Sequence, residues 1–199
     1  EYIRKMDEAA FTQAARPYYD QVVPTDAAMH AILYRILQPR LEVFTQIPEK
    51  IAFLKALPAY DTALFVHKKM KTTRELALTV VQAAREALKG VACWQETAIH
   101  EALMGVAQAL SLKNGQVFWP VRIALTGLQV TPGGADEAAT LLGQAEALRR
   151  PGGSGIRTTG VRIACFRRQC FRSVRSVHVQ KHRSTGHRRS ARRPSILPY

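Results

Sequence analysis

Apolar residues in the first 150 positions recur at the spacing of one helix face and do not alternate as they would in strands. The clearest run covers residues 72–88, where Leu76, Val80, Ala84 and Leu88 fall on every fourth position. This run has a signal for a helix start before it and a signal for a helix end after it. A threonine and a glutamate three residues apart form the pattern of a capping box, and a glycine supplies a left-handed stop, as in Thr72, Glu75 and Gly90. The pattern predicts a helix over this run.

Weaker versions of the same pattern predict more helices over residues 8–18, 27–37, 41–44, 49–57 and 95–110. Asp26 is the predicted N-cap of the helix that follows it, and the sequence Lys113-Asn114-Gly115 is predicted to end the helix of residues 95–110. No strand-like alternation persists along this part of the chain. The sequence therefore predicts an all-α fold.

The helical pattern stops after Arg150, and the charge changes at the same place. Residues 151–199 hold 12 of the 29 Lys and Arg and none of the 15 Asp and Glu. Residues 1–150 thus carry 17 − 15 = +2, and residues 151–199 carry +12 of the net +14. The basic charge of the whole protein therefore describes its tail and does not indicate a basic nucleic-acid-binding body. Low apolar content without a period predicts that this tail is disordered.

Three interpretations of the tail remain open. Two cysteines and two histidines, Cys165, Cys170, His178 and His182, are possible zinc ligands, but their middle gap is too short for a finger, and no metal site is predicted. An arginine-rich arm would add nonspecific RNA affinity. Translation out of frame after about Arg150 is favoured, because the helical pattern ends abruptly and acidic residues are absent.

The cysteine count, the hydropathy and the first residue predict the cellular compartment of the protein and whether the chain is a fragment. An odd number of cysteines, three, favours a reducing compartment. No apolar run is long enough to span a bilayer, and the start of the chain is not a secretory signal, so a cytoplasmic protein without a membrane contact is expected. The chain begins at Glu1 and not at Met, which predicts a fragment of a longer protein.

Several segments are too particular to be generic helix. Residues 112–127 read LKNGQVFWPVRIALTG, and residues 130–134 read VTPGG. In the same order upstream and downstream come QPRLEV (38–43), IPEK (47–50), AYD (59–61), KKMK (68–71) and the stretch from LLG to LRR (141–150). Over about residues 1–150 the chain resembles the C-terminal, anticodon-binding region of bacterial glutamyl-tRNA synthetases, which are glutamate–tRNA ligases.

This resemblance implies the fold and function of part of an enzyme. In that family a catalytic half attaches glutamate to tRNA with ATP and Mg, and a helical half binds the anticodon. The HIGH signature of class I catalytic domains is missing here, and the KKMK segment lacks the serine of the KMSKS loop. The chain is therefore expected to contain no catalytic residue and no cofactor site, to be inactive alone, and to act as a monomer. Its partners would be the catalytic half and the tRNA for glutamate.

Unstacked anticodon bases are read by stacking on flat side chains and by hydrogen bonds to their edges. Trp119, Arg122 and the loop after them supply such groups within a short stretch, with Pro120 predicted at a first helical position. The resemblance implies that the tryptophan and arginine, with a Thr-Pro pair, meet the second and third anticodon bases. The predicted RNA-binding residues are Arg40, Trp119, Arg122, Thr131, Pro132, Gly133 and Gly134, with weaker phosphate contacts at Lys68, Lys69, Lys71 and Lys113.

Two helical subdomains are expected, residues 1–70 and 71–150, followed by the tail of residues 151–199. The competing hypothesis is a helical scaffold or interaction module, in which Trp119 and Arg122 serve only packing and the arginine-rich tail binds RNA without specificity. Each histidine of the body (30, 67 and 100) is predicted to be structural.

Overall fold

The computed structural model describes residues 2–150, and the predicted disordered tail with its candidate zinc ligands lies outside them. Over residues 2–150 the chain forms α-helices and short 3-10 helices, with no β-strand, which confirms the all-α prediction. The α-helices are α1 (Glu8–Tyr19), α2 (Ala27–Leu37), α3 (Ile47–Lys55), α4 (Arg74–Lys89), α5 (Glu96–Ala109), α6 (Asn114–Thr126) and α7 (Ala135–Arg149). The 3-10 helices are Ile3–Lys5, Gln38–Arg40, Phe44–Gln46 and Thr62–Phe65.

Aspartate caps begin the first two α-helices. The Asp26 carboxylate accepts a hydrogen bond from the Met29 backbone N–H at 2.8 Å, as predicted. Asp7 does the same for the Ala10 N–H at the start of α1. Each cap satisfies a backbone donor that has no partner inside the helix.

The start of α4 differs from the prediction by one residue. Thr73, and not Thr72, is the N-cap and accepts a hydrogen bond from the Leu76 N–H. Thr72 is buried, and its hydroxyl donates to the Phe65 carbonyl at 2.7 Å. Two adjacent threonines offer the same capping oxygen, and the tertiary bond of Thr72 decides between them.

Two other local predictions were wrong. Gly90 closes α4 in a right-handed conformation, because its N–H donates to the Ala87 carbonyl in a tight last turn. The predicted helix over residues 41–44 is extended at Leu41 and Val43, and the short helical turn lies at Phe44–Gln46. A four-residue apolar run is too short for its period to separate helix from extended chain.

Two main hydrophobic clusters form the interior. The first is built from α1, α2 and α3, and the second from α4, α5, α6 and α7. Helix α7 contributes to both, since Ala138 and Leu141 lie in the first cluster and Ala139 and Ala147 in the second. The division into two subdomains at residue 70 stays a prediction.

The end of α7 is tied to α6 by a buried arginine. The Arg150 guanidinium donates to the Leu125 carbonyl and to the Glu146 carboxylate, both at 2.7 Å. Hydrogen bonds from Arg149 and from Arg150 hold the pKa of Glu146 at about 2, well below its usual value. Arg150 therefore closes the C-terminal end of α6, where backbone carbonyls lack helical partners.

Candidate nucleic-acid interface

Helix α6 carries the central candidate residues, but it begins earlier than predicted. The Gln116 side chain accepts a hydrogen bond from the Lys113 backbone N–H, which starts the helix at Asn114. The sequence Lys113-Asn114-Gly115 therefore opens α6 and does not end α5. Pro120 lies inside α6 and not at its first position, so Trp119 stands in the middle of the helix. The loss of one backbone donor at Pro120 does not interrupt the helix.

The two faces of α6 have different tasks. Val117, Val121 and Leu125 are buried in the second hydrophobic cluster. Trp119 and Arg122 are three residues apart, so they share another face about one turn from each other. That face meets residues 60–72 and the loop that follows α6.

Trp119 is half-buried and firmly held. Its indole Nε1–H donates to the Leu64 carbonyl at 3.1 Å. The ring packs on a small cluster that includes Phe65, and its centroid is 4.2 Å from that of the His67 ring. The indole N–H is therefore unavailable to a nucleobase, and what Trp119 offers is ring surface.

Arg122 lies over the indole, with its guanidinium carbon 4.7 Å from the centroid of the Trp119 ring, a cation–π contact. One terminal nitrogen donates to the Gln129 carbonyl at 2.9 Å, which holds the loop after α6. The Nε atom is buried without a hydrogen-bond partner. Burial lowers the pKa of Arg122, yet an arginine remains cationic at neutral pH.

Next to Trp119, residues 67–72 form what we call the basic turn. Its ends pair through backbone hydrogen bonds between His67 and Thr72, and Lys71 adopts a left-handed conformation with φ of 53°. The turn is docked on the start of α6. The Met70 sulfur would lie only 2.5 Å from a Cβ on Gly115, so a larger residue there would displace the Met70 side chain. The Gln116 side chain also donates to the Lys71 carbonyl.

The structure thus gathers all four predicted phosphate contacts at one end of α6. All of them are exposed to solvent, and they are Lys68, Lys69, Lys71 and Lys113. The sequence around them adds no acid: none occurs between Asp61 and Glu75, or between Glu101 and Asp136. The segments that form α6 and the basic turn therefore contribute positive charge and no acid, although the body is almost neutral.

The loop of residues 131–134 lies beyond the other end of α6. The Thr131 hydroxyl donates to the Gly133 carbonyl at 2.6 Å, and Pro132 is buried beneath. The Gly134 N–H donates to Glu137 at the start of α7, and a Cβ on Gly134 would approach that carboxylate to 2.7 Å. At Gly133 and Gly134 a side chain is therefore disfavoured by close neighbouring atoms and not by a left-handed backbone conformation.

Arg40 lies in the 3-10 helix that directly follows α2. It is exposed, and its guanidinium donates to the Ile36 carbonyl at 2.9 Å. A Cβ built on Gly133 would lie 3.5 Å from the Ile36 side chain, so the two segments are in contact through Ile36. Apart from Arg40, which is linked to the loop of residues 131–134 only through Ile36, the predicted RNA-binding residues lie in α6 or in the segments at its two ends. Whether they bind RNA stays a prediction.

The sequence did not reveal the contact of His67 with Trp119. The residue lies directly before the lysines of the basic turn, and this proximity was the available signal. Its contact with Trp119 spans about fifty residues of sequence and has no period that would reveal it.

Over residues 2–150 no group of three or more His, Cys, Asp or Glu side chains could hold a metal ion. No helix in the same part of the chain has the length and apolar character that a membrane crossing requires.

Comparison with known proteins gives consistent results. Residues 10–150 match the family model described as "Anticodon binding domain". The glutamate–tRNA ligase of Clostridium novyi (strain NT) is 42% identical over 153 residues, and that of Clostridium tetani is 40% identical over 150. These matches cover 75% of this chain, but only 31% and 30% of the two relatives. The chain thus spans about a third of their length.

Solved structures show the same fold at lower identity. A glutamate tRNA ligase from Elizabethkingia meningosepticum, crystallised with its amino acid, superposes with a TM-score of 0.64 at 19% identity. The match covers 78% of this chain and 30% of that one. The glutamate-tRNA synthetase of Elizabethkingia anophelis gives a TM-score of 0.60 at 18% identity, over 76% and 29% of the two chains.

Proposed function

Because this chain belongs to the anticodon-binding domain family and is homologous to the C-terminal region of glutamate–tRNA ligases, we propose that it binds the anticodon stem-loop of the tRNA for glutamate. In a longer ligase it would select the tRNA, while ATP and Mg would act in a catalytic half that this chain does not include. The chain would do so as a cytoplasmic monomer.

One observation carries the proposal: the Arg122 guanidinium lies on the Trp119 indole, in a stretch of sequence without acidic residues. A planar cation held over an aromatic ring is suited to stacking and hydrogen bonding with an unstacked base. Since the indole N–H is bound to Leu64, Arg122 supplies the polar contacts and Trp119 supplies the apolar surface. Thr131 and Pro132, held beyond the end of α6, would meet a neighbouring base.

Arg40 and the basic turn extend this surface in two directions. Arg40 would approach the anticodon from the 3-10 helix after α2, beside the loop of residues 131–134. The lysines of the basic turn and Lys113 would contact phosphates, which adds affinity and salt dependence without reading sequence. Gly133 and Gly134 would let the backbone come close to a base.

Replacement of Trp119 tests the proposal. Stacking on an aromatic residue contributes about 1–3 kcal/mol per base. We therefore expect Trp119→Ala to weaken binding of glutamate tRNA about ten-fold or more, measured by gel shift against an unrelated tRNA.

Trp94 provides a matched control. It is also half-buried, and its indole N–H also donates to a backbone carbonyl, that of Ala139 at 3.0 Å. Trp94→Ala should cost similar packing energy but leave selectivity for glutamate tRNA intact. Equal losses in the two variants, or none in either, would instead support the helical scaffold.

A further inference from the structure

We propose that His67 is a further RNA-contacting residue of this surface and presents a hydrogen-bond donor to the edge of a nucleobase beside Trp119. The inference rests on the proposed function and adds a residue to it.

The hydrogen bonds of His67 define its tautomer. The Met70 backbone N–H donates to His67 Nδ1 at 3.2 Å. A backbone N–H can only donate, so Nδ1 must be the acceptor. In a neutral imidazole the proton is then on Nε2, which becomes a donor.

That donor is not used inside the body. Within residues 2–150, Nε2 makes no hydrogen bond, and the buried unpaired polar atoms of this part of the chain are Tyr19 Oη and Arg122 Nε. His67 is half-buried, so its free nitrogen reaches the surface. An N–H in this position recognises an acceptor atom of the bound nucleic acid.

The ring is also held in place before any ligand arrives. Its centroid is 4.2 Å from that of Trp119, with the rings tilted by 53°. The His67 backbone N–H donates to the Thr72 hydroxyl at 3.0 Å, and its carbonyl accepts from the Thr72 N–H at 3.2 Å. A donor that is already oriented loses little conformational entropy on binding.

The neighbourhood favours a base over a phosphate as the acceptor. The imidazole ring that carries the free nitrogen packs against the Trp119 ring, where an unstacked base would lie. Lysines of the same turn offer charged contacts to phosphate. The acceptor is therefore a carbonyl oxygen or an unprotonated ring nitrogen of an anticodon base.

Two amide substitutions separate the two ring nitrogens. An asparagine oxygen can replace Nδ1 and keep the bond to Met70, but it leaves nothing at Nε2. A glutamine amide can place a donor near Nε2, but it gives up the Nδ1 acceptor. We expect His67→Asn in the full chain to weaken glutamate tRNA binding about five-fold, the value of one hydrogen bond. His67→Gln should remain within about two-fold of the original protein.

Thermal melting of each variant reports on folding separately from binding. The proposal is supported if His67→Asn weakens binding at an unchanged melting temperature. The difference between His67→Asn and the original protein should then disappear when one anticodon base is exchanged. A loss that persists for every anticodon variant would mean a phosphate contact and overturn it. If His67→Gln instead binds glutamate tRNA more weakly than His67→Asn does, His67 only supports the basic turn, and the proposal is overturned.

Trp119→Ala distinguishes this failure from failure of the proposed function. If His67→Asn binds normally while Trp119→Ala does not, only the inference about His67 falls. If neither substitution changes binding, the proposed function falls as well.

Discussion

Gly127 ends α6 with a φ of +69°, a left-handed conformation that side chains disfavour. A Cβ at this position would also lie 2.9 Å from the Pro58 ring and 3.0 Å from the Tyr60 ring. We therefore expect Gly127→Ala to lower the free energy of unfolding by more than about 1 kcal/mol, measured by urea denaturation.

Gly105 provides the opposite case within the same fold. It lies inside α5, and a Cβ there would meet no atom within 4 Å. Gly105→Ala should raise the free energy of unfolding by about 0.5–1 kcal/mol, because alanine loses less backbone entropy in a helix. Similar effects from both substitutions would contradict the conformational explanation for Gly127.

At single residues, sequence predicted which side chains come together better than it predicted what their atoms do. The three-residue spacing of Trp119 and Arg122 was enough to put them on one face. The bond from the indole to Leu64 was not accessible, because it joins positions 55 apart. The contact of His67 was missed for the same reason.

At the level of elements, the existence of most helices was predictable and their ends were less so. The start of α6 shows why. A Pro in first position is a common signal, but here the Gln116 cap starts the helix earlier, and Pro120 is tolerated inside. The start of α4 likewise depended on a tertiary bond of Thr72, which local pattern does not contain.

The basic turn makes a prediction about salt. If Lys68 and Lys69 each contact a phosphate, the double substitution to alanine removes two ionic contacts. The slope of log K against log salt concentration should then decrease in magnitude by about 1.4, while the preference for glutamate tRNA remains. A salt titration of binding measures both quantities.

Lys50 and Lys55 of α3 form the matched control, since their double substitution removes the same charge from a different helix. It should leave the slope nearly unchanged. An equal decrease for the two pairs would show that net charge alone, and not the basic turn, determines the salt dependence.

At the level of the whole molecule, Arg150, the last described residue, is anchored to other parts of the body. The buried Arg150 side chain binds Leu125 and Glu146, so the end of α7 is fixed by contacts within the body. We expect a chain shortened to residues 1–150 to keep its helical circular-dichroism spectrum and its preference for glutamate tRNA.

Removal of residues 151–199 also removes a formal charge of +12. Total affinity for any RNA should then fall and become less dependent on salt. If all binding disappears, and Trp119→Ala has no effect in the full chain, the tail alone binds RNA and the anticodon surface does not.

Helix α7 supplies side chains to both hydrophobic clusters. Neither cluster can come apart without exposing apolar surface of the helix that also completes the other. We therefore expect the body to melt cooperatively, so that the proposed anticodon surface is kept or lost as a unit.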